Sequence, residues 1–174
     1  MELEIQNKIR DHHQAGFGWA LACCSYNSAD AEDVLQTVYL KILDGRAKFN
    51  GRSEFKTWFF ALIRNTAVDI QRRRLTHYLK FDKLRGFIVS ENERLSTDEK
   101  LESDEMDLIF RRILSRLPRR QSEVLHLVFY QDLTLEQAAD VMQISLGSVR
   151  QHYDRGKKRF RKFVEDAGGL HELF

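Results

Sequence analysis

One proline, Pro118, interrupts a chain of 174 residues, and there are only nine glycines. Proline and glycine are the residues that stop helices and shape the tight turns of hairpins. A chain so poor in both offers long stretches suited to helices and few places where a sheet can reverse, so an all-α fold is the expected class. Domains commonly run from about 50 to 250 residues, so this length accommodates one medium domain or two small ones.

The charge pattern points to two. The formal net charge of +2 hides three blocks of alternating sign. From 64 to 85, seven basic residues (Arg64, Arg72, Arg73, Arg74, Lys80, Lys83 and Arg85) oppose two acids, Asp69 and Asp82. From 91 to 107 the sign reverses, with eight acids against Arg94 and Lys100. From 147 to 162, seven basic residues stand against Asp154 alone. Local patches of this kind, rather than the total, decide whether a polyanion can dock. The expected organisation is two small helical domains, 1–75 and 108–174, joined by a linker over 76–107.

No run of about 18 apolar residues is present to span a bilayer. Glu2 and Glu4 precede any apolar stretch, unlike a signal peptide. A cytoplasmic protein without stable membrane insertion is expected. Cys23 and Cys24 are adjacent and sit in an apolar stretch, which implies no disulfide framework. With His12 and His13 they contain zinc-ligand atom types, but adjacent ligands on a helix point in divergent directions, so they read as core residues rather than a metal or redox site. No catalytic carboxylate motif, metal spacing or phosphate-binding glycine loop appears, so neither an enzyme nor a cofactor is expected.

Along the chain, a first helical block runs to Tyr26. Asp30 is placed to cap the next helix, on which Leu35, Val38 and Ile42 form an apolar stripe ending at Gly45. Ser53 is placed to cap a long helix that begins at Glu54 or Phe55 and ends in Arg72, Arg73 and Arg74. In the second domain Ile109, Ile113, Leu114 and Leu117 form one stripe, and Pro118 suits the start of a helix carrying Val124, Leu125 and Val128. Thr134 to Gln137 has the form of a capping box. Leu135, Ala138, Ala139 and Met142 then share one face, and after a break at 143–145 a basic helix points Leu146, Val149 and Tyr153 inward. Together these make a helix-turn-helix.

That geometry leaves Arg150, Gln151, Asp154, Arg155 and Lys158 on the outer side of the last helix, suited to a major groove. Arginine donates to guanine edges or phosphates and glutamine pairs with adenine. Lys157, Lys158, Arg159 and Arg161 suit backbone phosphates. Asp154 either accepts from a cytosine amino group or points away. In the first domain Phe49, Asn50, Ser53, Lys56, Trp58 and Asn65 combine aromatic, polar and basic character suited to unstacked bases. Spacing alone favours Phe49, Phe55 and Trp58 as core residues instead.

The stretches Asp30-Ala31-Glu32-Asp33-Val34-Leu35-Gln36, Phe49 to Trp58, and Arg64-Asn65-Thr66-Ala67-Val68-Asp69 resemble region 2 of the extracytoplasmic-function sigma factors of the sigma-70 family. Leu117-Pro118 and the segment from Leu133 to Arg161 resemble region 4. The resemblance implies a transcription initiation factor that binds core RNA polymerase through its β′ and β subunits and recognises the minus 10 and minus 35 promoter elements. The helix 30–43 would dock on the polymerase through Asp33, Gln36, Tyr39 and Leu40. Phe49, Asn50, Ser53, Lys56, Trp58 and Asn65 would hold the minus 10 element, and the face from Arg64 to Arg74, including Arg72 and Arg73, would bind melting DNA. Ser148, Arg150, Gln151, Asp154, Arg155 and Lys158 would read the minus 35 element. An anti-sigma factor is a further implied partner. Thr37 stands where the family usually has an acid. The competing reading is a stand-alone helix-turn-helix regulator.

Overall fold

The computed structural model describes residues 2–85 and 105–166. Among them there are eight helices and no strands, in agreement with the all-α expectation. They fall into two compact units, Met1–Thr97 and Asp98–Phe174. Most of the acidic block and of the expected linker, residues 86–104, lies outside the described residues.

The first unit begins with α1 (Glu2–Asp11) and α2 (His13–Cys23), so the expected continuous block is broken at His12. The chain leaves α2 through Ser25 (φ 53°) and Tyr26 (φ 62°), two successive left-handed residues. The Tyr26 amide closes on the Leu21 carbonyl at 2.8 Å, which satisfies a carbonyl at the helix end. Helix α3 (Ser28–Leu43) is capped by Asn27, whose side chain accepts from the Asp30 amide at 2.9 Å. Asp30, expected as the cap, lies instead in the first turn, where the positive end of the helix dipole favours it.

Helix α4 (Phe55–Arg85) runs 31 residues, well past the expected end at Arg74. Its first carbonyl acceptor is Glu54, which takes the Trp58 amide at 3.1 Å. The Ser53 hydroxyl donates to the Glu54 carbonyl, so Ser53 precedes the cap position rather than filling it.

The core of this unit joins Trp19, Ala20 and Leu21 of α2, Ala31, Val34, Leu35 and Val38 of α3, and Phe59, Phe60, Ile63 and Ala67 of α4. The buried Trp19 indole donates to the Phe60 carbonyl at 3.0 Å, which removes the cost of burying its one polar atom. Cys23 and Cys24 are buried and are not joined in a disulfide. A Cβ on Gly16 would sit 2.7 Å from Phe59 Cε1, so the bare backbone at that position lets α2 close onto the aromatic layer of α4.

The second unit consists of α5 (Glu105–Leu114), α6 (Arg119–Phe129), α7 (Leu135–Met142) and α8 (Leu146–Asp166). Pro118 occupies the cap position of α6, and its carbonyl takes the Gln121 and Ser122 amides. Leu114, Leu117 and Leu125 form the centre of a core bordered by Phe110, Tyr130, Tyr153, Phe160 and Phe163. The capping box is present: the Gln137 amide donates to Thr134 Oγ1 at 3.1 Å, and Gln137 Oε1 accepts the Thr134 amide at 2.9 Å. After the left-handed Gln143 (φ 54°), Ser145 Oγ accepts the Ser148 amide and caps α8. Gly156 is buried where α8 crosses α6, and a Cβ there would meet the Gln121 carbonyl at 3.3 Å. No described helix is long and apolar enough to cross a membrane.

Candidate nucleic-acid interface

On α8 the buried positions are Val149 and Gly156, while Leu146 and Tyr153 are partly covered. Arg150, Gln151, Asp154, Arg155 and Lys158 are all exposed, and Ser148 is half-buried. The outer face therefore has the expected composition. Arg150 Nη2 lies 3.7 Å from Glu136 Oε1 of α7, a loose exposed contact that a nucleic acid can displace. Asp154 remains exposed on the same face, with Oδ1 3.6 Å from Lys157 Nζ. Lys157 also caps the Tyr153 ring, 4.1 Å from its centroid. His152, on the flank of this face, is held below its ordinary pKa by burial and then by the charges of Arg120 and Arg155. Behind α8 an open apolar groove of about 330 Å³ is lined by Phe110, Phe129, Phe160 and Val164, with Lys157 and Arg161 at its edge.

In the first unit the expected base-holding residues form the rim of the core. The Phe49 ring lies 5.4 Å from Phe55 and 5.3 Å from Trp58, and Lys8 Nζ sits 5.7 Å above it. Phe55 is buried, 7% exposed, and stacks on Phe59; Phe49 and Trp58 are half-buried. Spacing alone favoured all three as core, and only Phe55 is. Asn50 is exposed, and its Oδ1 takes the Arg52 amide at 3.2 Å, which shapes the loop around Gly51 (φ 72°). Ser53, Arg64 and Asn65 are half-buried; Lys56, also half-buried, lies 5.6 Å from the Phe60 ring centroid. Arg72 and Arg73 are exposed with no carboxylate partner among the described residues.

Arg74 departs from the expected DNA face. Its Nη1 lies 2.5 Å from Asp30 Oδ1 and its Nη2 3.5 Å from Asp33 Oδ2. The hydrogen bond to Asp30 holds the Arg74 guanidinium above its already high pKa. Successive helical residues point about 100° apart, so a run of three arginines cannot face one surface. Here the third turns back to α3.

On α3, Asp33, Gln36 and Leu40 are exposed, and Leu40 is 54% accessible. Tyr39 is more enclosed: its hydroxyl meets His13 Nδ1 at 2.7 Å, its ring stacks on Phe59, and burial pushes its phenol pKa up. Leu43, 61% exposed, also stands out on this helix, although the sequence did not single it out. It follows Leu40 by three and Gln36 by seven, so the signal was an apolar residue extending the outward stripe. Thr37 Oγ1 donates to the Asp33 carbonyl at 2.8 Å, so its hydroxyl is spent on the helix itself. His12 Nδ1 meets the Lys8 carbonyl at 2.9 Å.

Residues 9–76 match the family described as Sigma-70 region 2, and residues 113–162 match Sigma-70, region 4. The ECF RNA polymerase sigma factor SigX of Bacillus subtilis is 28% identical over 140 residues, covering 77% of this chain and 70% of that protein. The chain belongs to the extracytoplasmic-function sigma factors of the sigma-70 family. Another similar sigma factor, YlaC of Bacillus subtilis, is 25% identical over 159 residues, covering 91% of this chain and 90% of its own. The sigma factor fold is also that of the sigma factor RpoE in complex with the anti-sigma factor NepR from Bartonella quintana. That match has a TM-score of 0.72 and 21% identity over 93% of this chain and 97% of that one.

Proposed function

We propose that this sigma factor binds core RNA polymerase and directs it to specific promoters, with each helical unit gripping one promoter element. The observation that carries the reading is the pairing of surface chemistry with unit: an aromatic and basic rim on the unit matching region 2, and an outward polar and basic helix on the unit matching region 4. Residues 1–75 and 108–174 are taken as the two functional domains and 76–107 as the linker, whose first ten residues continue α4 to Arg85. A stand-alone helix-turn-helix regulator is not favoured, because it leaves the first unit and its match to region 2 without a role.

In the first unit, α3 presents Asp33, Gln36, Leu40 and the edge of Tyr39 to the β′ subunit. Phe49, Asn50, Ser53, Lys56, Trp58 and Asn65 take an unstacked base of the minus 10 element, while Arg64, Arg72 and Arg73 hold the adjoining phosphates. Extruding a base costs a few kcal/mol, and stacking on an aromatic rim returns about 1 to 3 kcal/mol per base. Melting is thus driven by binding, and the chain itself performs no catalysis. In the second unit Ser148, Arg150, Gln151, Asp154, Arg155 and Lys158 read the minus 35 element, and the unit meets the β subunit. The protein acts in the cytoplasm with its polymerase. An anti-sigma factor that covers these same faces is a further proposed partner, supported by the likeness to a sigma factor solved with one.

In vitro run-off transcription tests the reading. Core polymerase plus the chain yields a transcript from a selected promoter that core alone does not make. Absence of both the transcript and core binding rejects it. Purification from native cells with no second protein attached counts against the anti-sigma partner.

A further inference from the structure

Helices α3 and α4 carry different tasks on the proposed reading, and one side chain links them. Arg74 comes from the basic run of α4, yet its two terminal nitrogens divide between two carboxylates of α3: close on Asp30 at 2.5 Å and looser on Asp33 at 3.5 Å. The Asp30 side chain is 34% exposed and that of Asp33 62%. The guanidinium therefore engages one oxygen of Asp33, Oδ2, and leaves this carboxylate largely open to solvent. Asp30 and Asp33 are also three apart on one helix, where two bare carboxylates repel one another unless a cation lies between them. Lower on the same pair of helices, Lys41 Nζ of α3 donates to Thr66 Oγ1 of α4 at 3.0 Å, so the two helices run antiparallel with a polar tie near each end of α3.

We propose that Arg74 is a positioning residue for polymerase binding and not a DNA contact: it ties α4 to the first turn of α3 through Asp30 and holds Asp33 with its carboxylate facing outward for the polymerase. This rests on the reading of α3 as the docking helix. It assigns the three consecutive arginines to two tasks, with Arg72 and Arg73 serving DNA and Arg74 serving the docking helix. Removing Arg74 frees the Asp33 side chain to adopt other rotamers, which weakens its contact with the polymerase.

The test is a double-mutant cycle on the affinity of the full chain for core polymerase, with promoter binding by the resulting holoenzyme measured against salt. Arg74→Ala weakens core binding several-fold in the otherwise unaltered chain and has little further effect in Asp33→Ala, because it acts through that carboxylate. Arg74→Lys, which keeps a cation between the acids, recovers part of the loss. The salt dependence of promoter binding stays as it was for Arg74→Ala, whereas Arg73→Ala lowers the slope by about 0.9, the value for one lost phosphate contact. Additive losses in the cycle overturn the proposal and leave Arg74 a purely structural tie. A lowered salt slope with unaltered core affinity overturns it in favour of a DNA contact. Failure of the docking reading is recognised separately: core binding is then insensitive to Asp33→Ala and Leu40→Ala, whatever Arg74 does.

Discussion

In the second unit Arg150, Gln151, Arg155 and Lys158 stand exposed on one side of α8 while Val149 and Gly156 take the other, so contact residues and core residues are separate sets. In the first unit they overlap. Phe49 and Trp58, assigned to an unstacked base, share ring contacts with the buried Phe55, which stacks on Phe59 in turn. The difference teaches that a duplex groove can be read by side chains added to a finished helix, whereas a surface that competes with base stacking is built from the edge of the core itself. Substitutions in the second unit should separate function from stability, and those in the first should not.

The largest expected effect comes from the centre of the first unit. Phe59 is fully buried and borders Tyr39, Phe55 and Phe60. Phe59→Ala should cost about 3 to 5 kcal/mol, the range for deleting a buried aromatic ring. Both tryptophans, Trp19 and Trp58, belong to the first unit, so tryptophan fluorescence during urea denaturation reports that unit alone. A fluorescence midpoint unmoved by Phe59→Ala would break the link between rim and core.

Acid should affect the second unit next most strongly. His126 is buried, stacks on Tyr130, and is lowered to a pKa of about 3 by burial, with a smaller contribution from the Arg111 charge. Its folded pKa lies below the unfolded value, so above about pH 6.5 neither state carries the proton and the residue makes no pH-dependent contribution. As pH falls below that, the unfolded chain takes up a proton that the folded one refuses. Stability then falls by about 1.4 kcal/mol per pH unit. From pH 7 to 5 the loss should be about 2 kcal/mol, read from far-UV circular dichroism during urea unfolding, and His126→Gln should flatten it. An unchanged profile in that variant would assign the acid sensitivity elsewhere.

Arg150→Ala should reduce discrimination between promoters differing in the minus 35 element by about 1 to 3 kcal/mol, the worth of one bidentate base contact, without altering the urea midpoint. Trp58→Ala should instead lower both promoter melting and the fluorescence-independent stability of its unit. If Trp58→Ala leaves stability intact, the contrast between the units fails. The smallest effect is expected at Thr134, where alanine removes one half of the capping box and should cost about 1 kcal/mol, measured as a shift of the thermal midpoint.

Much of this architecture was readable before any coordinates. The capping box at Thr134 and the stripe through Ala138, Ala139 and Met142 were legible because caps and helical periodicity are local, and local rules act on residues three or four apart. The outward residues of α8 followed from the same periodicity. The misplacements arose where two candidates sat close together. Asp30 was expected as the cap, but Asn27 fills that position three residues earlier while Asp30 is engaged by Arg74. The extension of α4 past Arg74 carries no terminator in the sequence: neither glycine nor proline occurs between Phe55 and Arg85, while charge clustering suggested an end. The rim position of Phe49 and Trp58 was hidden because apolar spacing records which face is covered, and a rim residue is covered by halves.

Helix α4 is continuous from Phe55 to Arg85, with the stacking ring of Trp58 near one end and Arg72 and Arg73 fourteen and fifteen positions on. At 1.5 Å per residue this sets about 21 Å between them along the helix axis. On the proposed reading the helix is then a ruler, setting by backbone rise the spacing between the Trp58 ring and the two guanidiniums. A single residue inserted near Val68 would lengthen that ruler by only about 1.5 Å but turn its far end by about 100°, carrying both cations off the strand's path while the near end stayed in place.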